Sequence, residues 1–214
     1  EIEALKAGRP ATVSIGSIAG PAISLLPIAL ARISQANPDL QVSLLVESSD
    51  VLLERLEQNR LDLMVGRLFA RHDKRNLQYE ALAEEDICVI ARPEHPIFSL
   101  SRPGLDDLAK AMWIVPPEGS VLRHRFELMF QSAGLQAPQR VIGTAALLFL
   151  TKMLQESDYL AVVPLDVARH YADFGMVGIV PVELSCKMDS FGIVTRTDWL
   201  LSPGAQIALQ ALRD

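Results

Sequence analysis

The chain has 214 residues, half of them hydrophobic and only 6% aromatic, which is enough for a large core and comfortable for two small lobes. Lys plus Arg number 20 against 26 Asp plus Glu, a formal charge of −6, which argues against a surface that grips nucleic acid through its phosphates. Two cysteines, Cys88 and Cys186, make no disulfide framework, and no apolar run reaches the roughly 20 residues of a membrane-spanning helix.

Residues 1–10 read as the tail of a polar helix that ends near Gly8 and Pro10. Positions 11–16 alternate like a strand and stop at Gly16-Ser17. From residue 21 to 36, Ala22, Leu26, Ala29, Leu30 and Ile33 fall on one helical face. Pro27 either kinks that helix or sits in a first turn. A turn at Asn37-Pro38-Asp39 leads to a strand over 41–47. Ser49 or Asp50 is placed to cap a helix that runs to Gln58 and buries Leu52, Leu53 and Leu56. A short apolar strand over 61–65 ends at Gly66-Arg67. Residues 11–67 thus read β-α-β-α-β, the pattern of a parallel sheet covered by helices.

Residues 68–80 are polar and charged and read as a surface loop. A strand over 86–92 ends at Pro93-Glu94-His95-Pro96 and opens a second series. It continues as a helix (105–110), a strand (112–115) and the loop Pro116-Pro117-Glu118-Gly119-Ser120. A helix over 121–133 buries Leu122, Phe126, Met129 and Phe130. Then come a strand (140–142), a helix (144–156), a strand (159–163), a helix opened by Pro164 (to 173) and a strand (177–182). A last strand (190–195) and helix (203–212) are too little to stand alone. The expected architecture is α/β, with two Rossmann-like lobes joined by two crossover strands. Residues 11–85 plus 182–214 make the first lobe, and 86–181 make the second. Ligands in open α/β sheets bind outside the strand carboxyl ends, where helix N-termini also converge. The loops at 16–20, 47–50, 66–69, 116–123 and 143–145 are therefore the ones to examine, and the cleft between the lobes is the expected ligand site.

Four segments in order carry a family resemblance. Asn37-Pro38-Asp39-Leu40 precedes a strand, and Leu52-Leu53-Glu54-Arg55-Leu56 runs into Asn59-Arg60-Leu61-Asp62-Leu63-Met64-Val65-Gly66. Ile87-Cys88-Val89-Ile90-Ala91-Arg92-Pro93-Glu94-His95-Pro96 follows, and then Tyr159-Leu160-Ala161-Val162-Val163-Pro164. Their order and spacing resemble the co-inducer-binding domain of LysR-type transcriptional regulators over residues 11–212. The resemblance implies a periplasmic-binding-protein type 2 fold that senses a small anionic or polyhydroxylated effector. It also implies an N-terminal winged helix-turn-helix outside this sequence, with residues 1–10 as the end of a linker helix. DNA would then be met only through that domain, in the cytoplasm and without a membrane. A homodimer of this domain is implied, one strand or helix of the first lobe pairing antiparallel with the opposite lobe of a second copy, and a homotetramer of the full-length protein. The sequence departs from the family at Glu156-Ser157-Asp158-Tyr159, where Gly-x-Gly is frequent, so a different turn is expected there. The loop 116–120 with Arg123 resembles the branch that includes regulators of sugar and aromatic-acid catabolism.

Ser17 closes the first strand before a helical segment, with Ile18 beside it. Its hydroxyl and the nearby N–H groups can hold a carboxylate or sugar oxygen, or it can cap the helix. The resemblance favours effector contact. Ser48 and Ser49 sit at the next strand-to-helix junction, with Ser49 the better candidate. Arg67 offers a planar fork suited to a carboxylate, or a salt bridge with Asp62 or Glu47. Gly119, Ser120, Val121, Leu122 and Arg123 open a long helix whose first amides can receive an anion. Thr144 is placed to cap the next helix on the same side.

No cofactor is called for. The histidines His72, His95, His124 and His170 lack metal-ligand spacing. Cys88 and Cys186 lie in apolar stretches and read as buried free thiols. Gly16-Ser17-Ile18-Ala19-Gly20 has the wrong spacing for a nucleophile elbow, so an enzyme is not expected. The remaining alternative is an exported solute-binding protein of a transporter, which shares the fold; a cleaved export signal would leave the same start.

Overall fold

The computed structural model of the chain describes residues 11–68, 75–184 and 188–213. The expected linker-helix end (1–10), His72 and Cys186 lie outside them. The chain divides into two units. One holds the residues up to Glu84 and from Ser190 onward, and the other holds Glu85–Asp189.

The first unit begins with β1 (Thr12–Ser17), α1 (Ala19–Ser24), α2 (Leu26–Ala36), β2 (Gln41–Val46), α3 (Ser49–Glu57), β3 (Leu63–Gly66) and β4 (Leu77–Ala83). The helix expected over 21–36 is divided at Leu25. Pro27, in the first turn of α2, has no N–H to donate backward, so the ladder is interrupted there. Leu25 stays helical, and the Ser24 hydroxyl donates to the Gly20 carbonyl at 3.1 Å. Leu26, Ala29 and Ile33 still fall on one buried face.

The second unit runs β5 (Ile87–Ala91), a 3-10 turn (Pro96–Ser99), α4 (Leu105–Lys110), β6 (Met112–Val115), α5 (Val121–Ser132) and β7 (Val141–Gly143). It continues with α6 (Leu147–Gln155), β8 (Tyr159–Pro164), α7 (Leu165–Asp173) and β9 (Gly178–Ile179). The chain then returns to the first unit for β10 (Phe191–Arg196) and α8 (Pro203–Arg213).

Both sheets follow one plan. The first has the order β2-β1-β3-β10-β4 and the second β7-β6-β8-β5-β9. In each, three strands are parallel, the fourth is antiparallel to its neighbours, and the fifth forms an edge. The fourth strand, β10 or β5, is also the first strand after the chain passes from one unit to the other. The return into the first unit falls at Ser190 and not at 182 as the sequence suggested. Val182 and Leu184 instead pack against the core of the second unit.

The loop expected over 68–80 is corrected from residue 77 onward, where β4 pairs antiparallel with β10. This edge strand carries Gln78 and Glu80, and one strand alone borders it, so its residues alternate weakly in polarity. A bulge between Phe191 and Gly192 shifts the register and blurs the period further. Gly192 explains how the two strands come so close. A Cβ there would lie 2.2 Å from the carbonyl oxygen of Glu80, a backbone atom with no room to retreat.

Each unit has its own apolar centre. In the first, Ile15, Leu52, Leu56, Leu63 and Met64 pack with Val194, Ala205 and Ala208. In the second, Trp113 meets Phe126 edge-on with centroids 4.7 Å apart, and Phe126 meets Phe130 at 5.1 Å. The buried Trp113 indole N–H donates to the Leu108 carbonyl at 2.9 Å. The glycine-free turn before β8 is held by side chains. Arg92 donates to Asp158 Oδ1 from Nε at 3.0 Å and from Nη2 at 2.8 Å, and His95 Nε2 lies 3.1 Å from the Asp158 carbonyl oxygen.

Candidate functional site

Because β1, β2 and β3 are parallel, their carboxyl ends share one edge of the first sheet. Ser17 ends β1 and is buried. Its hydroxyl donates to the Ile18 carbonyl at 2.9 Å, so it does not cap α1, whose N-cap is Ile18. The neighbouring amides are also committed. Ile18 N–H donates to the Val65 carbonyl at 3.0 Å, and Glu47 N–H donates to the Ser17 carbonyl at 3.1 Å. The Ile18 and Glu47 amides are therefore spent on the sheet, and the Ser17 hydroxyl oxygen retains only acceptor capacity.

Neither Ser49 nor Asp50 caps α3; the N-cap is Ser48, without a side-chain bond. Ser49 is the first helical residue, and its buried hydroxyl oxygen accepts from the Arg67 N–H at 3.0 Å. Gly66 makes this approach possible, since a Cβ there would sit 2.6 Å from Met64 Cε and 3.2 Å from Ser49 Oγ. Ser17, Ile18, Ser49 and Arg67 are thus gathered at one sheet edge. Arg67 is only 4% exposed, which places a permanent positive charge in a weakly solvated position at the end of β3. Asp62, a salt-bridge partner suggested by the sequence, accepts a hydrogen bond from the Ser14 N–H at 2.7 Å.

The second unit repeats the arrangement with different chemistry. β6 and β7 are parallel, and Thr144 N–H donates to the Val115 carbonyl at 2.9 Å, which joins their ends. The loop from β6 turns at Gly119, whose φ of +84° suits glycine, and no atom lies within 4 Å of where its Cβ would be. Ser120 caps α5, its hydroxyl accepting from the Arg123 N–H at 3.3 Å. Val121 and Leu122 follow in the first turn, where helical amides have no intrahelical acceptor. Leu122 is half-buried rather than buried. Arg123 already pairs with Glu127 one turn along its own helix, which lowers its value to a ligand.

Thr144 does not cap the next helix. α6 begins at Leu147 with Ala146 as N-cap, and the Thr144 hydroxyl accepts from the Ala146 N–H at 3.0 Å. The residues just beyond it are exposed. Leu148 is 84% exposed and Phe149 is half-exposed in the first turn of α6. They belong to the apolar run 145–150, which by itself gives no sign of their exposure.

Cys88 is half-buried rather than buried. Burial pushes its thiol up to about 12, with Arg169 pulling weakly the other way, so it stays a thiol at neutral pH. Among the described residues, no three His, Cys, Asp or Glu side chains gather as a metal cluster, and no helix is long and apolar enough to cross a membrane.

A sequence profile of the LysR substrate binding domain matches residues 6–214. The chain belongs to this family. It is 36% identical over 214 residues to the HTH-type transcriptional regulator GbpR of Azospirillum brasilense, covering all of this chain and 63% of that protein. A GbpR of Rhizobium radiobacter is 29% identical over 172 residues, 80% of this chain and 57% of that one. The chain therefore spans less than two thirds of these curated relatives. Among solved structures, the effector-binding domain of QuiR in complex with shikimate matches with a TM-score of 0.74 at 16% identity, covering 95% of this chain and 96% of that one. The effector-binding domain of BenM with its effector benzoate matches at 0.68 and 19%, covering 95% and 90%. These likenesses establish the periplasmic-binding-protein type 2 fold. The relatives are named as regulators, and nothing here favours the exported receptor.

Ser49→Ala removes the acceptor of a buried amide. We expect chemical denaturation to show a loss of about 1–3 kcal/mol. A loss under about 0.3 kcal/mol means that the Arg67 amide finds another acceptor.

Proposed function

We infer that this chain is the effector-sensing part of a LysR-type transcriptional regulator and that its effector is a small organic anion. The observation that carries this reading is the placement of Arg67. A buried guanidinium stands at the carboxyl end of β3, with its own amide anchored on Ser49. A carboxylate matches such a fork in two parallel hydrogen bonds. Ser17, Ile18 and Ser49 line the same sheet edge. Gly119, Ser120, Val121, Leu122, Arg123 and Thr144 are the effector contacts assigned to the second unit, with the first-turn amides of α5 as anion donors. Shikimate and benzoate, the ligands named for QuiR and BenM, are both carboxylates and support this choice.

Binding shifts the population toward the conformation the effector prefers, and a DNA-binding domain reads the result. No turnover is assigned to it: the function is sensing, in the cytoplasm. The matched relatives are named as HTH-type transcriptional regulators.

A thermal-shift screen of aromatic acids, sugars and sugar acids tests the reading. At a concentration 100 times Kd a ligand stabilises the native state by about 2.7 kcal/mol, so a bound acid raises the melting temperature by several degrees. Arg67→Ala is expected to abolish the shift for acids while leaving a cooperative melt. An unchanged shift removes Arg67 from the site.

We also assign the outer edge of the first sheet to a second copy of the chain. β2 borders that sheet on one side and leaves Leu44 and Val46 partly exposed, an apolar strand edge that invites pairing. The domain is expected to be a dimer, and the complete regulator a tetramer. Sedimentation at high micromolar concentration checks this. A dimer that Leu44→Glu converts to monomer fits the assignment, and a strictly monomeric parent contradicts it.

A further inference from the structure

The first unit has a concave feature at the end of the sheet away from Arg67. β10 runs antiparallel to β3, with Gly192 opposite Gly66. Arg196, four residues on, is therefore displaced roughly 13 Å along the strand direction from the Gly66 end. A cavity of about 350 Å³ opens there among β4, β10, the connection after it and α8. Its size falls within the range of small-ligand sites.

The charges lining the cavity are unequally satisfied. Glu80 and Arg213 form a two-point pair, with Nη2 at 2.6 Å and Nε at 3.0 Å from Oε2, so these two neutralise each other. The Arg196 side chain is largely buried, yet its ion pair runs from Nε to Asp198 Oδ1 at 3.5 Å, with a partner that is half exposed. That separation is too long for a good hydrogen bond. The Arg196 guanidinium carbon lies 5.3 Å from the centre of the Trp199 ring, a cation–π distance. Trp199 is 62% exposed and Leu200 92% exposed, so a wide apolar surface stands beside a cation whose present anion holds it loosely. Ile193 and Leu209 complete the apolar wall.

We propose that this cavity is a second small-molecule site, which takes a flat organic anion of the aromatic carboxylate class. The carboxylate replaces the long contact of Arg196 with Asp198, and the ring lies against Trp199 and Leu209. The charged head gains a short, charge-assisted pair, and the body covers indole surface now in water. A purely apolar ligand leaves the guanidinium unserved. A small inorganic anion gains nothing from Trp199. β4 and β10, the strands that line this cavity, are also those from which the chain leaves and re-enters the first unit. The proposal does not depend on the effector reading above.

The two tryptophans make the test direct, since Trp113 is fully buried in the other unit. Benzoate is titrated into the domain, followed by tryptophan emission, in the parent and in Arg67→Gln. A saturable change is expected in both, at least tenfold weaker in Arg196→Gln and at least tenfold weaker with benzamide in place of benzoate. A linear, non-saturating response overturns the proposal. So does an Arg196→Gln midpoint equal to the parent's, or a signal lost in Arg67→Gln, which assigns it to the strand ends of the first sheet. If Arg196→Gln shows no cooperative melt, the benzoate-to-benzamide ratio on the parent decides alone, and a ratio near one is a refutation.

Discussion

The strand that closes the first sheet arrives last. β10 lies between β3 and β4 and is antiparallel to both. It reaches that place only after the chain has built residues 85–189 as a unit of their own. Gly192 is the tightest point of this closure, because any side chain there meets the backbone of Glu80. Everything proposed for the first unit depends on this pairing. β10 supports β3, whose end carries Arg67, and its far end carries Arg196. Such pairing joins residues more than a hundred positions apart, so it forms late and rewards little until it is complete.

Closure of the sheet also decides which polar groups remain for a ligand. At the first strand ends the amides of Ile18 and Glu47 are used between strands, and that of Arg67 is used on Ser49. These bonds tie the strand ends to one another and to the start of α3. In the second unit the Thr144 amide is likewise used between strand ends. There Arg123 pairs with Glu127 and its N–H donates to the Ser120 hydroxyl, while the first-turn amides of α5, like those of α3, have no intrahelical acceptor. The first strand ends thus carry a buried cation, and the second unit carries oriented backbone dipoles at the start of α5. Both suit an anion with an apolar or hydroxylated body.

Much of this was legible in the sequence, for reasons that can be named. The buried parallel strands at 63–66 and 112–115 are short apolar runs that stop at Gly66 and Pro116, and their regularity reveals the α/β order. Phe126, Met129 and Phe130 keep a helical period and fill the second core. Ser17, Ser49 and Arg67 were expected at the carboxyl edge of the sheet because each closes or closely follows a strand that stops there. The failures also have causes. β4 is an edge strand with a bulge opposite it, so its pattern is neither apolar nor strictly alternating. Ser49 and Thr144 looked like caps because Ser and Thr before a helix usually are. A cap depends on where the helix begins, within one or two residues, and sequence does not fix that. The cavity at Arg196 joins residues 78–80, 193–201 and 206–213, a juxtaposition that no local pattern announces.

The central claim is that the strand carboxyl ends hold the effector. Amide chemical-shift mapping tests it most directly. With the tightest acid from the screen at saturation, the account predicts the largest perturbations at residues 17–18, 48–49, 66–67, 119–123 and 143–144. Perturbations absent from those residues and confined to helix faces or to the distal edge of the first sheet would contradict it.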